Sequence, residues 1–255
     1  MTLLSVERIK FFSTRSPWWC MALALGLVIG FGTLLAASAS RVEAVNVPSS
    51  QFGFSFGLAV ILVLAALAIT TEYRFNTIKT TFLAVPNRTS ALLAKTTVVA
   101  VVSGIVGEIA AFGSWGMAKL VRPGADMALN SEADWRNVAG AGLVTALAAV
   151  VAIAVGILIR HTAGAVSLLL AYSLMVEQLI GLIPTAGPKI HQWLPFNVAN
   201  RFLTGNPDLA ADARLGGGPG ASDATLAPWW ALAYFAAFAL VMLVIAITAA
   251  RRRDA

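Results

Sequence analysis

A chain of 255 residues with 58% hydrophobic and only 12% charged positions holds about half the roughly 25% charge of an average soluble domain, which argues for lipid as its solvent. The net charge of +6 then reads as membrane topology and attraction to anionic lipid, and it is poor grounds for nucleic-acid binding. A single cysteine, Cys20, excludes an intrachain disulfide, and with two distant histidines, His161 and His191, it offers no metal-ligand cluster.

The start of the chain, 3–12, mixes apolar residues with Glu7, Arg8 and Lys10, poorly segregated at about 100° per residue. The first apolar run, 18–40, has no charge over 23 residues. That exceeds the roughly 7 to 15 of a signal-peptide core, so it is expected to be retained as a span. Five further windows hold roughly the 20 apolar residues needed to cross about 30 Å of hydrocarbon: 52–71, 96–118, 138–159, 162–183 and 228–250. Helix is the only sensible assignment at these lengths, because each segment must satisfy its own backbone hydrogen bonds. The expected fold is therefore all-α, one six-span membrane domain over 1–255.

Lysine and arginine counts in the connections orient it. With the N-terminus inside, eleven fall on the inner side, among them Arg8, Arg74, Arg88, Lys95 and Arg251 to Arg253; seven fall outside, among them Arg41, Arg122 and Arg201. Both termini are thus expected in the cytoplasm, with the chain in the cell membrane.

Two connections are too long to be turns. The outer one, 184–227, divides into an amphipathic, aromatic half, 187–203, which reads as a pair of short interfacial or re-entrant helices with Trp193 at headgroup level, and a Gly- and Pro-rich loop over 205–223. In the inner one, 72–95, Ile78, Phe82 and Val85 fall at i, i+4 and i+7, on one face of a short helix that Pro86 must end.

This inner segment is similar to the signature of ABC-2 type permeases, the membrane subunits of ATP-binding-cassette exporters. In that signature an acidic residue leads into Gly-Thr, then an apolar stretch, Pro, a basic residue and a Lys opening the third span. Glu72, Thr77, Pro86, Arg88 and Lys95 occupy those places, with Asn76 where Gly is usual, and Leu194-Pro195-Phe196-Asn197 looks like a segment met in the family before the last span. The resemblance implies an N-terminal interfacial helix, a cytoplasmic coupling helix and outer re-entrant helices. It also implies a nucleotide-binding subunit as partner, with Glu72, Tyr73, Arg74, Thr77, Ile78 and Phe82 at the coupling contact, and a second permease copy or paralogue. The chain has no phosphate-binding loop, since Gly216-Gly217-Gly218-Pro219-Gly220 lacks the lysine. No cofactor is expected on this chain, and ATP and Mg are expected on the partner.

Glu108 and Glu177, the second beside Gln178, are the only charges inside the spans. A charge there costs roughly 3 kcal/mol or more, so both should face protein or water. They read either as part of a substrate path or proton relay, or as hydrogen-bonded residues holding helices together. A carrier driven by ion gradients through Glu108 or Glu177, or an accessory membrane subunit, are the alternatives. An intramembrane hydrolase is disfavoured because no serine motif accompanies the two histidines. Small pairs at four-residue spacing, Gly26 with Gly30 and Ser103 with Gly107, allow close helix contact.

Overall fold

The computed structural model describes residues 3–85, 87–205 and 222–253. In chain order its helices are α1 (Leu3–Ser13), α2 (Arg15–Ser38), α3 (Val47–Ser50), α4 (Phe54–Arg74), α5 (Thr77–Ala84), α6 (Arg88–Val121), α7 (Glu132–Ala139), α8 (Ala141–Ile159), α9 (Thr162–Gly181), α10 (Gly187–His191), α11 (Pro195–Thr204) and α12 (Pro228–Arg253). No strand occurs among the described residues. Helices α2, α4, α6, α8, α9 and α12 are long and apolar enough to cross a membrane, as the hydropathy windows require, and the chain is a multi-pass membrane protein by that criterion. The greater part of the expected loop over 205–223 lies outside the described residues.

The third long helix differs most from its window. It begins at Arg88, not Thr96, because the Asn87 side chain accepts the Thr89 amide and caps a polar first turn that hydropathy does not register. Lys95 consequently stands two turns inside α6. The fifth, α9, carries a π-helical turn over Tyr172–Val176, a local widening often met at functional places in helices.

Helix α8 is the central element, with 67% of its most apolar window buried, against 17% for the peripheral α9. Its sequence explains the position: alanine, valine and glycine surround the helix, leaving no polar face to turn outward. Small residues also let α4, α6 and α12 approach closely. Where α6 crosses α8, Ser103 is fully buried, and a β-carbon on Gly107 would overlap the Thr145 side chain. Gly26 and Gly30 instead face open space, with no neighbour in contact. Of the two small-residue pairs, then, only the second is used within the chain. Gly107→Val is expected to lower stability by about 1–3 kcal/mol through overpacking, whereas Gly30→Val should leave it unchanged. Thermal unfolding of both variants in detergent measures the contrast.

Candidate functional site

At the end of the bundle that carries the N-terminus, four charged side chains converge from three helices. The Lys95 ammonium lies 2.6 Å from Glu7 and 2.8 Å from Glu72. Lys10 lies 2.9 Å from Glu7 and 3.7 Å from Glu72, and donates to the Thr81 hydroxyl at 2.9 Å. The cluster therefore ties α1, the last turn of α4, α5 and the third turn of α6 into one unit. The Glu7 and Lys95 side chains keep only 4% and 9% of their exposure. Charges so deeply placed are tolerated because two of each sign cancel and hydrogen-bond one another. Burial alone would raise the Glu7 carboxyl, but Lys95 and Lys10 together outweigh it and hold the group below its ordinary value.

The turn from α4 into α5 depends on Asn76, whose left-handed backbone (φ 57°, ψ 12°) suits asparagine better than most residues. It explains how Asn76 serves where glycine would be the usual choice. A second link runs through Tyr73. The guanidinium of Arg160, in the α8–α9 turn, sits 5.0 Å from the centre of its ring, within cation–π range. Movement of the α4 terminus is thereby connected to four other helices.

The expected coupling residues divide by direction. Glu72 is held in the ion cluster and Tyr73 against Arg160. Ile78 is 5% exposed and turned into the apolar core, so it anchors α5 to the bundle. Arg74 and Thr77 are exposed, and the side chain of Phe82 lies outside the described residues. Sequence reasoning missed Phe75, which is 67% exposed at the tip of α4 beside Arg74. Its signal was an aromatic in a polar turn, flanked by Arg74 and Asn76. Glu7 and Lys10 were also missed, because a poorly segregated helix gives no hint of what its charges meet.

The two intramembrane acids meet backbone, each at the start of another helix. Glu108 accepts the Gly142 amide at 3.1 Å, in the first turn of α8. Glu177 accepts the amides of Phe196 at 3.1 Å and Asn197 at 2.8 Å, the first free donors of α11, with Tyr172 adding a side-chain hydrogen bond. Proline at position 195 brings no amide, so the first donors of this helix are the two that one carboxylate can span. That is the physical content of the Leu194-Pro195-Phe196-Asn197 string. Asn197 further donates to the His191 carbonyl at 2.8 Å and accepts from the Ser222 hydroxyl at 2.7 Å, which fastens α10, α11 and the approach to α12 together. Gln178, the neighbour of Glu177, is exposed on the outer face of α9.

No family model and no curated protein matches the chain. Among the described residues no group of three or more His, Cys, Asp or Glu could hold a metal ion. What the geometry offers chemically is mechanical linkage: a charge-locked junction at one end, carboxylate-capped helix starts toward the other, and tightly packed small residues between.

Proposed function

We propose that the chain is the membrane subunit of an ATP-binding-cassette exporter of the ABC-2 type, a permease of the cell membrane with both termini in the cytoplasm. In this reading α1 is the interfacial helix, α5 the coupling helix, and α10 and α11 the outer re-entrant pair. A separate nucleotide-binding subunit holds ATP and Mg, and a second permease copy or paralogue completes the path for a drug, lipid, peptide or saccharide.

The observation that carries the reading is the ion cluster. A helix that receives a push from an ATP-driven partner must pass it on without yielding, and α5 is joined through Thr81, Lys10, Glu72 and Lys95 to α1, the last turn of α4 and the third turn of α6. Packed bundles respond to such a displacement by rigid-body rocking, because their interfaces have discrete arrangements. Glu108 and Glu177 already accept hydrogen bonds from helix-start amides, which makes an ion-driven carrier using either acid the weaker reading. Arg74, Phe75 and Thr77 are the accessible residues at the tip, and Phe82 continues the same helix.

The test is transport and substrate-stimulated ATPase activity in complexes purified through this chain. Phe75→Ala removes an exposed aromatic anchor worth about 2 kcal/mol at a typical interface hot spot, or roughly thirtyfold in affinity. Stimulated ATPase is expected to fall accordingly in Phe75→Ala and Phe82→Ala while both still assemble in the membrane. Wild-type coupling in both variants, or a transport-competent chain purified without any ATP-hydrolysing partner, would overturn the proposal.

A further inference from the structure

A cavity of about 690 Å³ lies between the α1–α2 elbow, the last turns of α4 and α5. That size falls within the roughly 300–1,000 Å³ of small-ligand sites. Its lining changes character with depth. Lys10, Glu72, Thr77 and Thr80 line one end, whereas Leu64, Leu67 and Ala68 continue the wall along α4. From Glu72 to Leu64 the wall runs about 12 Å at about 1.5 Å per residue.

The depth of the mouth is set by tryptophan. Ser16 and Pro17 line the cavity at the elbow, and Trp18 and Trp19, which follow them directly, are 57% and 75% exposed. Exposed tryptophans at the start of a spanning helix belong at the headgroup layer. The cavity accordingly has its polar end at headgroup level and its apolar wall at acyl-chain level.

The charges choose the headgroup. Lys10 retains 36% exposure of its side chain and donates hydrogen bonds to Glu7 and Thr81, with Glu72 farther off at 3.7 Å. Oε1 of Glu72 lies 2.8 Å from Lys95 and 3.7 Å from Lys10, and the carboxylate lines the cavity with 14% of its side chain exposed. With Glu7 and Lys95 behind them the four charges cancel, so a ligand carrying one charge of each sign is matched and a net anion is not. A primary ammonium can donate to a carboxylate oxygen, which a trimethylammonium cannot.

We propose that this cavity binds one zwitterionic phospholipid with a primary-amine headgroup. Its phosphate lies on Lys10, its ammonium on the Glu72 carboxylate, and the start of one acyl chain on Leu64, Leu67 and Ala68. The proposal rests on the cavity and its charges, and it holds whether or not the chain is an exporter subunit.

Native mass spectrometry of the full chain, with any partner that co-purifies, tests it in detergent containing equal amounts of phosphatidylethanolamine, phosphatidylcholine and phosphatidylglycerol of the same acyl composition. One phosphatidylethanolamine adduct should survive activation at least fivefold better than either competitor. Ala68→Trp fills the apolar wall and Ser16→Trp narrows the mouth at an exposed position, and each should reduce the preference to none. Glu72→Gln should retain phosphatidylethanolamine no better than phosphatidylcholine. Equal retention of the three lipids by the wild type, stronger retention of phosphatidylglycerol, or a fivefold preference persisting in folded Ser16→Trp would overturn the site. Displacement of the adduct by soluble glycerophosphoethanolamine at the same concentration would overturn the assignment to a lipid.

Discussion

Replacing Lys95 by methionine is expected to destabilise the chain by about 3–5 kcal/mol, the cost of removing one partner from a buried ion pair. Lys95 is the only ammonium of the cluster within 3 Å of both carboxylates, and its loss leaves Glu7 deep in the junction with Lys10 alone. Glu7→Gln combined with Lys95→Met should recover much of the loss, because the uncompensated charge goes with its partner. A double-mutant cycle in chemical denaturation measures that coupling. The pH dependence follows from the lowered Glu7 carboxyl. A group depressed in the folded state contributes fully above its unfolded value near 4.5 and loses the contribution as pH falls through the lower folded value. Wild-type protein should therefore weaken in acid below that point, and Lys95→Met, already lacking the interaction, should show a shallower acid dependence. A Lys95→Met variant as stable as wild type at neutral pH would remove the cluster as a structural lock.

Glu177→Leu should cost about 3 kcal/mol, concentrated at the start of α11. The buried amides of Phe196 and Asn197 would lose a charged acceptor, and buried donors left unpaired cost about 1–3 kcal/mol each. An acid at a helix start adds a smaller favourable interaction with the helix dipole. Glu177→Gln keeps one acceptor oxygen and should lose about half as much. Hydrogen exchange distinguishes this local role from a general one: the amides over 196–204 should exchange faster in Glu177→Leu, while those of α8 keep their protection. Unchanged exchange in that variant would mean that the carboxylate does not hold α9 to α11.

Much of this was legible in the sequence, for identifiable reasons. The six long helices follow from apolar length, which each segment carries by itself, and the windows missed chiefly where Asn87 and a polar first turn extended α6 toward Arg88. The short helix after α4 followed from the spacing of Ile78 and Phe82, whereas the left-handed backbone at Asn76, which asparagine tolerates better than most residues, came from the structure. Positions of the intramembrane acids could be read as well, since a charge in an apolar run is conspicuous.

What those charges touch was decided only by the tertiary structure. Glu108 and Glu177 meet backbone amides of α8 and α11, and a backbone donor leaves no mark in a pattern of side chains. Glu7, Lys10, Glu72 and Lys95 form a cluster because α1, the last turn of α4 and the third turn of α6 come together, although in sequence these are three separate segments. The direction of Ile78 into the bundle, away from any partner, was likewise fixed by packing. Hydrophobic length is a local property that sums along the chain, whereas the pairing of buried charges depends on which helices lie side by side and on the register at which α6 crosses α8, and that register is set by the closeness that Gly107 and Thr145 permit.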